Sequence, residues 1–585
     1  MQREDLAGYI VPHTDEYQSE YLPASAERLA WLTGFTGSAG DAVILSDEAA
    51  IFVDGRYQVQ AAKEVDEKLF AIVDISVIPP SKWIGSRLRS GARVGYDPIL
   101  FPAPAARRLA ERCVAAGGEL IPVETNLIDE LWSDRPAPPT APVQLHPVEL
   151  AGKSSHEKLA EIVSILSERK VDAALITAPD SVAWAFNIRG RDVAHNPAPL
   201  ARALIRTTGK PTLYIDGRKL SNAVRDSLSE LVDVADPTRL ELDLKAAAKT
   251  GTRLSIDSET AAARYVEIVE QAGASLDESA DPIALLKSRK NDVELEGARR
   301  AHLRDGVAMV RFLAWLDREA PRGNLDEIAC VKALEQFRAT AALEEGVELK
   351  EISFDTISGA GPNGAIVHYR VTEDSNRQLD QDSLLLVDSG GQYLDGTTDI
   401  TRTIAIGTPS EEMRTRFSLV LKGHIAVADA RFPAGTDGVA LDAFARQALW
   451  RAGLDYDHGT GHGVGSYLPV HEGPPRISKR GGVALEAGMI LSNEPGYYKA
   501  GAYGVRIENL VVVLEADLAD GSDRPMHSFE TLTLCPIDRR LIETNLLTPP
   551  EREWVNAYHA RVSSLLSSNL DANDQSWLEH ATRPI

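Results

Sequence analysis

Short apolar runs set off by Gly, Pro and Asp fill the first part of the chain. Ala42-Val43-Ile44-Leu45 and Ala50-Ile51-Phe52-Val53 read as buried strands, the second closed by Asp54-Gly55-Arg56-Tyr57. Apolar positions at Val59, Ala62 and Val65 then shift the period to that of a helix. The segment Pro136-Ala137-Pro138-Pro139-Thr140-Ala141-Pro142 stops regular structure and reads as a linker. Beyond it the plan repeats: Lys158 to Ser167 has one apolar face, and Ala173-Ala174-Leu175-Ile176 is a strand. Asp180-Ser181-Val182-Ala183-Trp184 echoes the stretch from Ala26 to Trp31, and Leu213-Tyr214-Ile215-Asp216-Gly217-Arg218 echoes the one from Ile51 to Arg56. The offsets are 153 and 162 residues. A period of that length predicts a duplicated domain with one insertion and not a solenoid, chance likeness of strand–turn punctuation being the alternative.

A third segment starts near Ser288-Arg289-Lys290. Leu295, Ala298, Val307, Val310 and Leu313 place an apolar stripe along a long helix from Asp292 to Trp315. From Ile352 strands and Gly-rich turns dominate, up to a final helix. Thr548 and Glu551 form a capping box there with Pro549 at the first position, and Trp554, Val555, Tyr558 and Val562 form the packing stripe.

At 585 residues the chain exceeds one core and predicts three or four domains. A formal charge of −24 argues against a nucleic-acid partner. No run approaches the roughly 18 apolar residues that span a membrane, and the first residues have no apolar signal-peptide core. Cys113, Cys330 and Cys535 are odd in number and scattered, which fits reduced, buried thiols of a cytoplasmic protein.

Candidate chemistry lies between Leu384 and Glu508. Ser383-Leu384-Leu385-Leu386-Val387 reads as a strand buried on both faces that delivers Asp388. After turns at Ser389-Gly390-Gly391 and Asp395-Gly396, Asp399 follows 11 residues later, a spacing suited to adjacent antiparallel strands facing one pocket. Asp395, followed by Gly, is a turn residue. His458-Gly459-Thr460-Gly461-His462-Gly463-Val464-Gly465 leaves two imidazoles accessible among four glycines, with His471-Glu472-Gly473 beyond. Met489 to Asn493 leads to Glu494, locked by Pro495 and Gly496. Strand alternation through Val505-Arg506-Ile507-Glu508-Asn509 puts Arg506 and Glu508 on one face. A glutamate buried there needs a partner, Arg506, or a metal. Four carboxylates and one imidazole without a thiolate suit Mn²⁺ or a similar ion better than a structural zinc, and predict a two-metal hydrolytic site.

Taken in order, Asp388, Asp399, His462, Glu494 and Glu508 resemble in type, order and setting the five ligands of the pita-bread metallopeptidases. That family includes methionine aminopeptidase, prolidase and aminopeptidase P. The resemblance implies that Asp388 chelates one ion, that His462 and Glu494 hold the other, and that Asp399 and Glu508 bridge both. Within the family the chain is similar to the three-domain, cytosolic type of aminopeptidase P. The segment from Phe354 to Arg370 resembles the one that bears its first active-site histidine, here His368, and His458 and His471 match the other two. Asp54-Gly55-Arg56-Tyr57 matches a first-domain motif whose arginine shapes the substrate site.

The fold so implied is α/β (α+β), with two creatinase-like α/β domains at residues 1–143 and 144–287. A pita-bread catalytic domain with a C-terminal helical extension follows at 288–585. The implied activity is removal of the first residue from peptides with proline second, through a hydroxide bridging two divalent ions: Mn²⁺, with Co²⁺ or Zn²⁺ as alternatives. Glu494 would be the proton shuttle, His471 or His458 would polarise the carbonyl, and His368 would hold the leaving side or stabilise the same intermediate. Arg56 and the three histidines would contact substrate. A cytoplasmic homodimer without nucleic-acid or membrane partners completes the expectation. The rivals are a prolidase, which cleaves Xaa-Pro dipeptides, and a non-catalytic pita-bread peptide-binding module.

Overall fold

The repeat read in the N-terminal sequence is a repeat of sheet topology. In the computed structural model, which describes residues 1–516 and 523–585, two six-stranded sheets follow one another along the chain. The first is built from Gly8–Pro12, Asp41–Leu45, Ala49–Val53, Ala71–Asp74, Arg93–Tyr96 and Glu119–Pro122. The second is built from Ala173–Ile176, Arg202–Arg206, Thr212–Tyr214, Asp233–Ala235, Arg253–Ile256 and Ser275–Asp277. With strands counted along the chain, both sheets have the order 4-3-2-1-5-6. In both, the 1–2 and 2–3 pairs are antiparallel and the remaining pairs parallel.

The echoed Asp-Gly-Arg turns match in atomic detail. Arg56 N and Nε each lie 3.0 Å from Asp54 Oδ1, and Nη2 lies 2.7 Å from Oδ2. Arg218 repeats this on Asp216 at 2.9, 3.1 and 2.6 Å. The two sheets also share an apolar interior. Ile10, Val43, Phe52 and Val94 of the first pack in one cluster with Leu175, Leu204, Tyr214 and Leu254 of the second. Met1–Val148 and Lys153–Ala284 accordingly form one compact unit, and Glu149–Gly152 with Leu285–Ile585 form the other. Pro136 to Pro142 lies outside helix and strand, as expected.

The second unit begins with the long helix Asp292–Glu319, capped by a box between Asn291 and Glu294. It runs four residues past the expected end, to the stop set by Pro321. Strand Ser383–Ser389 lies between Ile357–Ala360 and Ile400–Ile406, antiparallel to both. A six-stranded sheet carries Gly461–Gly463, Ile490–Asn493 and Asn509–Ala516 next to one another by pairing. Helices Glu411–Ala428 and Pro549–Leu566 pack on the apolar residues of this unit.

Two further sequence readings change. The helix Pro549–Leu566 has the expected Thr548–Glu551 box but is not the last, since Ala572–Ala581 follows. That segment has little apolar periodicity, with Trp577 and Leu578 as its anchors into the core. Arg506 and Glu508 are not on one face of a continuous strand. Tyr503–Arg506 pairs with Gly496–Lys499, Asn509–Ala516 belongs to the six-stranded sheet, and the chain crosses between them at Ile507 and Glu508. The crossing is held by Ile507 N on Pro495 O (3.3 Å) and Glu508 N on Thr401 O (3.1 Å).

Candidate metal centre

The second unit brings the five predicted ligands to one place. Asp388 pairs with Thr401 in the ladder between Ser383–Ser389 and Ile400–Ile406, and Asp399 sits one residue before the second strand. His462 lies in the middle of Gly461–Gly463. A methyl group on Gly461 would overlap the Ser492 carbonyl oxygen, so the two strands approach this closely only with glycine there. Glu494 follows Ile490–Asn493 directly, and Glu508 occupies the crossing just before Asn509–Ala516.

One donor atom each from Asp399, His462 and Glu508 lies within 4.8 Å of the others. His462 Nε2 is 3.5 Å from Asp399 Oδ2 and 3.6 Å from Glu494 Oε1. Ligands about 2.0–2.2 Å from a shared ion stand at such separations from one another. His462 Nδ1 lies 2.9 Å from the Gly463 carbonyl oxygen; a carbonyl can only accept, so Nδ1 carries a proton and Nε2, which faces the carboxylates, is the nitrogen that would ligate an ion.

The electrostatics require positive charge. Burial pushes the Glu494 carboxyl up to about 7, with Asp399 and Asp388 adding to the rise. Burial and the same two aspartates push Glu508 well above the carboxylate range. Asp388 is also raised, by burial foremost, although Arg506 opposes the shift. Burial would lower His462, but Asp399 and Glu494 more than offset this and raise it to about 9. Asp388 Oδ1 and Asp399 Oδ1 are buried without a hydrogen-bond partner, and such an orphaned carboxylate oxygen calls for a donor or a cation. Oxygen-rich, crowded and short of donors, this set fits divalent cations.

Arg506 is the fixed positive charge of the site, and it pairs with Asp388 and not with Glu508. Its Nη1 donates to the Tyr498 hydroxyl at 2.6 Å and its Nε to Thr401 Oγ1 at 3.1 Å. Thr401 Oγ1 in turn donates to Glu508 Oε2 at 2.8 Å. Arg402 Nη1 holds the Glu508 carbonyl oxygen at 2.7 Å, and Ser492 Oγ donates to Glu494 Oε1 at 3.2 Å. None of Thr401, Arg402, Ser492 or Tyr498 carried a sequence signal. Thr401 and Arg402 act on Glu508 more than a hundred residues on, and Ser492 also bonds His462 N 30 residues back; single-residue chemistry does not reveal such pairs.

The histidines surround this set. His471 meets His462 edge to face with ring centroids 4.4 Å apart. His458 Nδ1 lies 2.7 Å from Gly459 O, and its Nε2 lies 2.9 Å from the Tyr498 hydroxyl. Burial and the Arg506 guanidinium hold His458 well below the usual imidazole range, and His368 adds to the effect. Arg56 belongs to the first unit, where it is clamped on Asp54 and lies over the Tyr57 ring.

Comparison with known proteins gives the same reading over the whole chain. Residues 296–515 match the model of metallopeptidase family M24 and residues 525–585 that of its C-terminal region. Residues 1–131 and 134–294 match two models of the creatinase/prolidase N-terminal domain. A probable Xaa-Pro aminopeptidase P of Talaromyces marneffei is 41% identical over 100% of this chain and 91% of its own length. One of Ajellomyces dermatitidis is 41% identical over 100% and 97%. The crystal structure of X-prolyl aminopeptidase from Caenorhabditis elegans, described as a cytosolic enzyme with a di-nuclear active site, superposes with a TM-score of 0.93. It is 35% identical and covers 99% of this chain and 95% of its own. The two N-terminal domains are thus creatinase-like and the second unit has the pita-bread architecture, so the chain belongs to metallopeptidase family M24, alongside the three-domain Xaa-Pro aminopeptidases P.

Proposed function

We propose that this metallopeptidase removes the N-terminal residue from peptides with proline at the second position. The observation that carries the reading is the clustering of Asp399, Glu494 and Glu508 around His462, with the Asp388 charge acting on Asp399 beside it, in a chain that aligns over its whole length with proteins named Xaa-Pro aminopeptidase P. Asp388, Asp399, His462, Glu494 and Glu508 would hold two divalent ions, with Mn²⁺ first and Co²⁺ or Zn²⁺ as alternatives. Bound there, such ions supply Lewis acidity for the scissile carbonyl and lower the pKa of a water.

The chain's own residues do the rest. Glu494, steadied through Oε1 by Ser492, accepts a proton from the attacking water and returns it to the leaving nitrogen. Asp388, fixed by Arg506, receives the free α-amine of the substrate, which limits cleavage to the first residue. His471, beside His462, donates to the developing oxyanion. His458 is a neutral ring whose Nδ1–H is engaged by Gly459 and whose Nε2 accepts from Tyr498. It therefore shapes the substrate site and hands the oxyanion role to His471. His368 holds the leaving side, and Arg56 contacts substrate. Proline suits a site that asks for no N–H on the residue after the cut.

A cytoplasmic homodimer completes the proposal. The three cysteines are buried thiols, and among the described residues no helix is long and apolar enough to cross a membrane. Light scattering on the purified protein tests the dimer.

The deciding experiment is hydrolysis of Arg-Pro-Pro by chelator-stripped protein with and without Mn²⁺. Release of arginine that returns with the metal and is absent in Glu494→Ala supports the reading. Cleavage of Gly-Pro with none of the tripeptide makes the protein a prolidase, and silence on both by folded, metal-loaded protein makes it a binding module.

A further inference from the structure

His424 lies on helix Glu411–Ala428, fully buried, and none of the steps above uses it. Its Nδ1 is 3.1 Å from the main-chain oxygen of Asn493, the residue before Glu494. Its Nε2 is 3.1 Å from the side-chain amide of Asn509, the residue after Glu508. One imidazole thus spans the two chain segments that deliver two of the proposed ligands.

The bonds to Asn493 and Asn509 fit one assignment, with the backbone of Ile507 as a further acceptor against the ring. The Asn493 carbonyl can only accept, so the proton is on Nδ1 and Nε2 is a bare acceptor. The guanidinium of Arg402 can only donate; its Nη2 lies 2.8 Å from Asn509 Oδ1, which turns the amide nitrogen of Asn509 toward His424. Asn493 Nδ2 returns a bond to the His424 carbonyl oxygen at 2.9 Å. Burial and Arg402 hold the imidazole down at about 3, so it keeps the neutral form that this pattern needs.

Position gives the network its leverage. Asn493 and Asn509 face each other as the last register pair of the ladder between Ile490–Asn493 and Asn509–Ala516. Immediately beyond that rung the backbone diverges into Glu494 and Glu508, which no longer pair with each other. His424 and both asparagines have no solvent exposure, and Trp554 packs edge-on against the imidazole at 6.0 Å. A polar group this deep on a packing helix is costly unless its position is used.

We propose that His424 is a positioning residue for the metal centre: it pins the last rung of the ladder and so sets the spacing of Glu494 and Glu508. The proposal rests on the assignment of those two glutamates as ligands.

The test measures Mn²⁺ affinity by titration calorimetry on chelator-stripped full-length protein, with the melting temperature of the metal-free form beside it. His424→Phe keeps the ring and removes both bonds. His424→Asn offers an amide where Nδ1 lies, and His424→Gln one where Nε2 lies; both keep a polar side chain and serve if the Phe variant does not fold. Trp554→Leu disturbs the packing of the same helix and leaves the hydrogen bonds in place. We expect His424→Phe to weaken Mn²⁺ by about 10–100-fold, the usual effect of losing an outer-shell partner. Asn and Gln should recover part of that loss, with kcat falling alongside affinity and KM for Arg-Pro-Pro unchanged. Trp554→Leu should lower the melting temperature and keep the parent affinity. Parent-like affinity in His424→Phe, or in both the Asn and Gln variants should Phe not fold, overturns the proposal. So does an equal loss in Trp554→Leu at an equal drop in melting temperature. A parent protein that binds no Mn²⁺ overturns the ligand assignment itself, which is a different result.

Discussion

Arg506 Nη2 donates to Asp388 Oδ2 across 2.7 Å, with side chains only 2% and 12% exposed. The same guanidinium forks to Tyr498 and Thr401, so one arginine balances an aspartate and orients two hydroxyls. Arg506→Met leaves Asp388 buried without its counter-charge, and breaking such a pair from one side costs about 3–5 kcal/mol. Urea unfolding of the metal-free protein should show a loss of that order, with a smaller one for Arg506→Lys, which keeps the charge and loses the fork. A Met variant as stable as the parent would mean that Asp388 is neutral in the metal-free site.

Removing the metal should invert the pH dependence of stability. Burial and neighbouring carboxylates raise Glu494 to about 7 and also raise Glu508 and Asp388. A carboxyl whose folded value is raised stabilises the fold in full below its unfolded value, and that contribution is lost as pH rises through the folded value. For Glu494 the window runs from the ordinary carboxylate range up to about 7. His462, raised to about 9, loses its contribution in the same direction from its usual value up to that one. Chelated protein should therefore melt lower at about pH 8 than at about pH 5, and Mn²⁺ should raise the melting temperature more at the higher pH. Scanning fluorimetry checks this; equal Mn²⁺ effects at both pH values would count against a carboxylate-bound ion.

Gly461→Ala should spare the first unit and damage the centre. The added methyl meets the Ser492 carbonyl oxygen, which cannot move without its strand, and overpacking of this kind costs about 1–3 kcal/mol. The strand that shifts also carries Ser492, which bonds both His462 N (3.0 Å) and Glu494 Oε1. Mn²⁺ affinity should fall with far-UV circular dichroism unchanged. Full affinity in a folded variant would show that the close approach does not set the ligand spacing.

Arg56 has a built-in control in Arg218. Both make the same three bonds to an aspartate two residues back, and Asp538 with Arg540 repeats the pattern at 3.0, 2.9 and 2.7 Å. The clamp is therefore a local turn motif and does not by itself assign a role. If Arg56 contacts substrate, Arg56→Ala raises KM for Arg-Pro-Pro while Arg218→Ala leaves it alone. Equal, small effects from the two would reduce Arg56 to a turn residue.

The elements that could be read in the sequence are those whose signal is local. The capping box at Thr548 and Glu551, the strand into Asp388 and the glycines around His462 each declare themselves within a few residues. Asp395 was legible as a turn residue from its glycine alone, although its ion pair with Arg304 at 3.1 Å was not. The duplicated sheet left as traces one Asp-Gly-Arg turn and one short helical stretch bearing Trp31 and Trp184, because buried strands of Ala, Val, Ile and Leu look alike in any order. Partners escaped wherever they are distant in sequence. Arg506 sits two residues from Glu508, yet the chain turns between sheets at that point and sends its guanidinium to Asp388, 118 residues away. His424 gave no signal at all, since nothing near it on its helix marks a polar role.

The common interior of the two N-terminal sheets limits what can be lost in descent. Phe101 O accepts from Ala263 N at 2.7 Å and Pro98 O from Arg264 N at 3.1 Å, so the copies are stitched by backbone as well as by apolar packing. Deleting either copy would leave the other with a wet, sticky face where Leu175 or Val43 now meets its counterpart. Each copy therefore keeps the other's apolar face covered, whatever it adds to the chemistry. Duplication followed by fusion of the cores works as a ratchet: the second domain, once added, becomes a condition for the first to stay soluble.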